Sequence, residues 1–298
     1  MVGDVKRSTK SDEESKTMND PEIGVTINVG GVATNVHDIA RSDADAETVV
    51  LLHGSGPGAN AWGTWRSTIP TLTRTMRVVA PDLLGFGYTE RPADMHAPAT
   101  SVKHIVDLLD ALELSRVSVV GNSYGGGVAL RLAVQHPERI HRLVLMGSAG
   151  VQFTVTPGLA KVWGYRPSIA AMRELVDILA YDSSLVTDEL LELRYQASLR
   201  AGVQEAYEQM FAEPFQSIVD DLAVDEELIS ALPHQTLLIH GREDTVVPPS
   251  TSTRLFELIP NSELHIFGKC GHWTQFEHTE AFNTLLSTFL ARDTNVPD

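Results

Sequence analysis

The sequence is poor in several residue types, and each shortage excludes something. It holds one cysteine, Cys270, in 298 residues, so no intramolecular disulfide and no paired-thiolate metal site can form. No stretch reaches about 18 consecutive apolar residues, so no membrane-spanning helix is expected. The N-terminus lacks the apolar core of a secretory signal, which makes a cytoplasmic protein the default expectation. There is no H-E-x-x-H and no P-loop, so neither a metal nor a phosphate-bearing cofactor is expected. Cations are scarce: 23 Lys and Arg stand against 39 Asp and Glu, a formal charge of −16. Such a chain repels nucleic acid and anionic membranes. An anionic substrate would therefore need a local cation in its pocket.

What remains is ordinary for a soluble globular protein, with 43% hydrophobic and 21% charged residues. Residues 1–21 are almost devoid of apolar side chains and are expected to form a disordered tail, since they bury too little to offset ordering entropy. Two β-like runs split by Gly30-Gly31, over 24–29 and 32–39, predict a hairpin. Continuous apolar strands are expected at 48–52, 76–80, 116–120 and 143–146, with an amphipathic helix over 101–112 carrying Ile105, Leu108, Leu109 and Leu112 on one stripe. Strands alternating with helices indicate a parallel sheet wound in βαβ units. From 149 to 234 the pattern becomes helical, punctuated by Pro157, Pro167 and Pro214; strand and helix alternation then returns from 235 to 298. The expected organisation is thus a tail over 1–21, a core over 22–148 and 235–298, and a helical lid over 149–234 above the strand ends where such sheets bind ligands.

The chain is organised around Gly121-Asn122-Ser123-Tyr124-Gly125, a G-x-S-x-G pattern between an apolar strand and a helix. So sharp a turn strains the serine backbone and leaves no room for side chains at its flanks. It lifts the hydroxyl clear of the sheet and aims the Tyr124 amide, at a helix N-terminus, toward any developing oxyanion. A serine needs a base, and the base an orienting carboxylate, which come after such an elbow in the order Asp or Glu, then His. Asp244 and His272 each fall just past an expected strand. Asp244 has rivals as a turn residue and in its neighbour Glu243. Among the other histidines, His53, His240 and His265 sit at or inside strands, and His136, His141 and His278 look like helix or loop surface. Arg242 and Glu243 read as an ion pair.

The stretch His53-Gly54-Ser55-Gly56-Pro57-Gly58 lies just after a strand. With Ala59 it also fits G-x-G-x-x-A, and Asp82 comes after the next strand, so a dinucleotide fingerprint is one reading. The other, preferred because it leaves the serine elbow explained, is an oxyanion loop. In it Gly54 and Gly56 let backbone amides approach an anion, and the Ser55 amide pairs with that of Tyr124.

Taken together these stretches resemble the α/β-hydrolase superfamily, and within it the meta-cleavage product hydrolases, which cut carbon–carbon bonds in aromatic degradation. The likeness covers essentially all residues after the tail. It is carried by Thr34-Asn35-Val36-His37-Asp38, the loop from Leu52 to Gly58 with Trp62, the elbow from Gly121 to Gly126, Leu191-Glu192-Leu193-Arg194-Tyr195, and Lys269-Cys270-Gly271-His272-Trp273-Thr274-Gln275. The resemblance implies a mostly parallel eight-stranded sheet with helices on both faces and a helical lid after the sixth strand. It implies 2-hydroxy-6-oxo-hexa-2,4-dienoate substrates, no cofactor, and a homodimer or higher homo-oligomer. It also implies Ser123 as nucleophile, His272 as acid and base, Asp244 as its orienter, Ser55 and Tyr124 as oxyanion donors, and Arg194 as the group holding the substrate carboxylate or dienolate. Trp273 would wall the pocket and Asn122 support it. Solvated helix face and plain core packing remain alternatives for Arg194 and Trp273. Thr64 departs from the pattern, standing where relatives often carry an amide. A carboxylesterase or lactonase of the same fold, and a non-catalytic ligand receptor on a hydrolase scaffold, are the competing functions. The group on C6 is not fixed by sequence. Hydrogen or small alkyl is favoured, with Trp163, Leu179 and Phe211 as expected liners.

Overall fold

The structure is a computed structural model that describes residues 20–41, 46–92 and 97–292. Most of the expected N-terminal tail lies outside the described residues. Eight strands form one sheet: β1 (Val25–Val29), β2 (Val32–Ile39), β3 (Thr48–Leu52), β4 (Arg77–Pro81), β5 (Val117–Asn122), β6 (Ile140–Met146), β7 (Thr236–Gly241) and β8 (Ser262–Phe267). Their spatial order is β1-β2-β4-β3-β5-β6-β7-β8. The hairpin at Gly30-Gly31 makes β1 and β2 antiparallel, and β2 also runs antiparallel to β4. Every other pairing is parallel. Strand boundaries shift by a few residues from the sequence expectation, as frayed ends commonly do. The largest changes are at β5, which runs on to Asn122, and at β6, which begins at Ile140 and takes His141 out of the expected surface loop.

The helices are α1 (Ala61–Trp65), α2 (Ile69–Leu72), α3 (Pro98–Ala111), α4 (Tyr124–Gln135), α5 (Pro157–Trp163), α6 (Ile169–Leu179), α7 (Asp188–Ser198), α8 (Val203–Met210), α9 (Phe215–Leu222), α10 (Glu226–Ser230), α11 (Ser250–Leu258), α12 (Thr274–Glu277) and α13 (Thr279–Leu290). Because strand side chains alternate in direction, the apolar runs divide between two faces. Val50, Leu52, Val119 and Leu145 pack on one side with Leu108 of α3 and Val128 of α4. Val49, Leu51, Val120 and Met146 pack on the other with Trp65, Leu72, Phe282 and Phe289. The first cluster continues into Met172, Leu175 and Tyr207, so the helices α5 to α10 between β6 and β7 share a core with the sheet. No helix among the described residues is long and apolar enough to cross a membrane.

Parallel pairing fixes where the site lies. β3, β5, β7 and β8 all end on one edge, and the segments beyond them carry Ser55, Ser123, Asp244 and His272. Residues separated widely in sequence therefore meet because their strands point the same way.

Candidate active site

Ser123 stands between β5 and α4 with φ 55° and ψ −117°, a strained conformation for a residue with a side chain. Several bonds hold it there. Its amide donates to the Met146 carbonyl at 2.9 Å, and its own carbonyl accepts from Gly126, Gly127 and Ala149 at 3.0, 3.1 and 3.2 Å. The flanking glycines answer the expectation from sequence. A β-carbon at Gly121 would strike Gly125 and Gly126, and one at Gly125 would strike the carbonyls of Leu52 and His53. Tyr124 opens α4, so its amide belongs to the first turn, which has no intrahelical acceptor.

Beyond β7, Asp244 is buried and accepts four hydrogen bonds. One oxygen takes the amides of Val246 and Val247 at 2.8 and 3.0 Å. The other takes His272 Nδ1 at 2.6 Å and His240 Nε2 at 3.2 Å. Burial pushes this carboxyl up, but the two imidazoles and their hydrogen bonds outweigh it and hold it well below the usual carboxylate range. With Nδ1 turned to a carboxylate, His272 keeps Nε2 for proton transfer. His240 Nε2 faces two acceptors, Asp244 and the Val247 carbonyl at 3.0 Å, so it carries the hydrogen; Nδ1 then accepts from the Ser252 hydroxyl at 2.7 Å. His240 is thus a brace behind the carboxylate.

The loop bearing His272 is anchored from both sides. The His272 amide donates to the Leu179 carbonyl at the end of α6, at 2.7 Å. Glu277 accepts from the amides of Gly271, Tyr181 and Asp182 at 2.7, 2.8 and 3.1 Å, tying the histidine loop to the helical segment above it. Glu243, the rival carboxylate, instead pairs with Arg242 and accepts the Cys270 amide at 3.0 Å. Sequence reasoning placed His240 among the structural strand histidines without tying it to Asp244, and did not single out Glu277. The only local hint was a histidine inside an otherwise apolar strand.

Across the cavity, Ser55 is buried, and its hydroxyl accepts from the Trp163 indole at 3.1 Å. Gly54 lies against Asn122 and Ser123, and a β-carbon there would sit 2.9 Å from Asn122 Oδ1. Asn122 donates to the Met146 carbonyl at 3.2 Å. Gly56 faces Arg194, whose Nη2 donates to the Pro57 carbonyl at 3.1 Å. The Arg194 guanidinium lies 5.0 Å from the centre of the Trp273 ring, and its buried Nε has no hydrogen-bond partner. Among the described residues it forms no ion pair. Burial pulls its pKa down to about 10, so it stays cationic at neutral pH but is under-compensated.

Ser55, Gly54, Gly56, Asn122, Ser123, Arg194, His272 and Trp273 line one cavity, with Thr64 among them. Leu159, Val162, Leu179 and Val246 supply its apolar wall. Leu179 was an expected liner. Trp163 and Phe211 do not line the cavity. The indole turns to Ser55 and stacks on Phe211 at 5.1 Å, which places both rings behind the wall. The dinucleotide reading is overturned as well. Asp82 accepts from Ala61, Asn35 and Tyr88 at 2.7, 2.8 and 2.9 Å and is fully buried, which leaves it no reach toward a ribose.

Such a site can add a nucleophile to a carbonyl while an anion is held nearby. Comparison with known proteins agrees. A family model described as the alpha/beta hydrolase fold matches residues 47–279. The chain is 54% identical over 274 residues to a 2-hydroxymuconate semialdehyde hydrolase of Pseudomonas sp. strain CF600, covering 92% of this chain and 95% of that one. It is 51% identical over 273 residues to a 2-hydroxy-6-oxo-2,4-heptadienoate hydrolase of Pseudomonas putida, covering 91% and 98%. A solved meta-cleavage product hydrolase of Pseudomonas fluorescens IP01, a serine-to-alanine mutant complexed with acetates, superposes with a TM-score of 0.88 at 52% identity, covering 91% of this chain and 98% of that one.

Proposed function

The chain belongs to the meta-cleavage product hydrolases of the α/β-hydrolase fold, and from that premise we propose that it cleaves the C5–C6 bond of 2-hydroxy-6-oxo-hexa-2,4-dienoates through Ser123, His272 and Asp244. The observation that carries this reading is the shared cavity, which holds a strained serine, an imidazole braced by a buried carboxylate, and a guanidinium that has no ion-pair partner among the described residues. An acidic protein thereby offers a cation where an anionic substrate must bind, in a fork suited to carboxylate.

Carbon leaves poorly unless its electron pair is delocalised. The dienol therefore first becomes a ketone: the C2 hydroxyl loses its proton and C5 gains one, with Arg194 favouring the charge-shifted form. Ser123 Oγ then adds to C6 as His272 takes its proton. The oxyanion lies toward the Ser55 and Tyr124 amides, each donor supplying about 2.7–4 kcal/mol of transition-state stabilisation. Cleavage of C5–C6 sends the pair into a dienolate, which on protonation is 2-hydroxypenta-2,4-dienoate. Water, activated by His272, releases the acid from Ser123. The helices α5 to α10 act as the lid over this cavity, excluding bulk water. Trp273 walls the anion site, and Asn122, Gly54 and Gly56 hold the serine and the oxyanion loop at contact distance.

The C6 substituent is proposed to be hydrogen or small alkyl. Two similar relatives are named for a semialdehyde and a heptadienoate, and Leu159, Val162, Leu179 and Val246 crowd the cavity. A cytoplasmic homo-oligomer is part of the same reading.

The test is a comparison of substrates. Ser123→Ala should abolish turnover of the yellow dienoate; wild-type turnover by this variant would refute the nucleophile. Arg194→Ala should lower kcat/KM on the dienoate about 10- to 100-fold, in line with loss of a charge-assisted pair, and act far less on a neutral aryl ester. Equal losses on both would remove Arg194 from the anion role and favour the esterase reading.

A further inference from the structure

A second recess adjoins the first, and Arg194 and Trp273 line both. The stacked guanidinium and indole therefore form a partition, with the reacting groups on one side. On the other side stand Arg66, Phe276, Leu190 and Leu193. Arg66 repeats the inner arrangement, with its guanidinium 5.4 Å from the centre of the Phe276 ring. Among the described residues that guanidinium has no ion pair and no hydrogen bond. One carboxylate also lines the cavity, that of Glu22, but it is already engaged. One of its oxygens accepts from Asn60 at 3.0 Å and the other pairs with Arg200. So this outer cavity offers a free cation on an aromatic ring, in a protein of formal charge −16 whose surroundings otherwise turn anions away.

We propose that the outer cavity is an anion-binding vestibule. It takes a planar conjugated carboxylate at Arg66 and passes it to Arg194. This rests on the dienoate reading above. The stacked geometry suits the ligand class, because guanidinium on an aromatic face leaves its edge N–H groups free for a carboxylate. Leu190, Leu193 and the rings of Phe276 and Trp273 receive the diene chain. The vestibule serves departure too. Hydrolysis turns one carboxylate into two, and the second anion meets Arg66 once Arg194 is occupied.

The experiment compares Arg66→Gln and Arg66→Lys with wild type. Steady-state kinetics on the dienoate at low and high ionic strength are read beside equilibrium titration with sorbate, a simple conjugated monocarboxylate. Arg66→Gln should lower kcat/KM on the dienoate about 3- to 10-fold at low salt, the range for one unit charge several ångströms away. The loss should fall mainly on KM. It should shrink toward unity near 0.5 M salt, where the Debye length is about 4–5 Å. Sorbate affinity should fall by a similar factor, and Arg66→Lys should restore most of both. Unchanged kcat/KM and sorbate affinity in Arg66→Gln at low salt, or a loss indifferent to salt, would overturn the vestibule. A wild-type enzyme that leaves the dienoate intact would instead refute the C–C hydrolase reading, and the sorbate titration would then decide the vestibule by itself.

Discussion

Replacing Asp244 by asparagine tests the braced imidazole most directly. The carboxylate accepts four N–H groups, two on each oxygen. An amide must turn its NH₂ toward one of those pairs. If it faces Val246 and Val247, two buried backbone donors lose their acceptor at about 1–3 kcal/mol each, or roughly 2–6 kcal/mol together. If it faces His272 and His240, the His272 ring can escape the conflict by moving its proton from Nδ1 to Nε2. That route preserves the fold and is the expected outcome. It places N–H where the serine needs a base and removes the charge that stabilises the imidazolium. In a serine-protease triad the same change costs about 10⁴ in kcat, equivalent to about 5.4 kcal/mol of barrier. Asp244→Asn should therefore retain the wild-type circular dichroism spectrum and lose about 10³- to 10⁴-fold in kcat on the dienoate, monitored by loss of its visible absorbance. A folded variant keeping more than a tenth of wild-type kcat would refute the assignment of Asp244 as orienter.

Three further outcomes concern groups near the site or beneath the sheet. His240→Gln should lower kcat and reduce the unfolding free energy by about 1–3 kcal/mol, because Asp244 loses one of its two imidazole donors while staying buried; an unchanged unfolding free energy would dismiss the brace. His104 is buried beside Thr34, and burial lowers its pKa to about 4. The unfolded chain therefore binds a proton between pH 6.5 and about 4 that the folded chain refuses, so the stability His104 leaves intact above pH 6.5 is lost as pH falls, by up to about 3 kcal/mol. Urea unfolding of His104→Gln should show a flatter slope across that window, and an identical slope would exclude this histidine as a source of acid sensitivity. Cys270 is fully buried, and burial pushes its thiol up to about 12. It should react with a thiol reagent only after unfolding, and fast labelling of the native protein would contradict its placement.

The sheet and the three residues on its edge were legible because each depends on a local signal. A continuous apolar run marks a strand buried on both faces, and the residues just after it must lie at the strand end. Parallel pairing then gathers Ser123, Asp244 and His272 without any long-range knowledge. Features that rest on packing between distant segments were not legible. Trp163 reaches Ser55 across 108 positions, and Glu277 reaches Tyr181 across 96. Nothing in the spacing of either residue announces its partner, which is why Trp163 was expected in the wall it only backs. Asp82 was misleading for a related reason. A carboxylate after a strand reads alike whether it binds a ligand or three protein donors.

Arg194 lies between these cases, and α7 shows a signal that spacing alone could have supplied. Its buried positions are Leu190, Leu191, Ala197 and Ser198, a stripe of helical period that runs through position 194. The residue there is an arginine, while Leu193, one step off the stripe, is 48% exposed. A helix built for packing alone would exchange the two. Leaving a guanidinium on the inward stripe costs desolvation, visible in its lowered pKa and its partnerless Nε. A local rule broken without compensation inside the protein points to compensation from outside it. Arg194→Leu with Leu193→Arg restores the rule. The double variant should unfold at higher denaturant than wild type while losing the dienoate activity that the misplaced cation supports. A double variant no more stable than wild type would mean that the arginine is already satisfied where it stands.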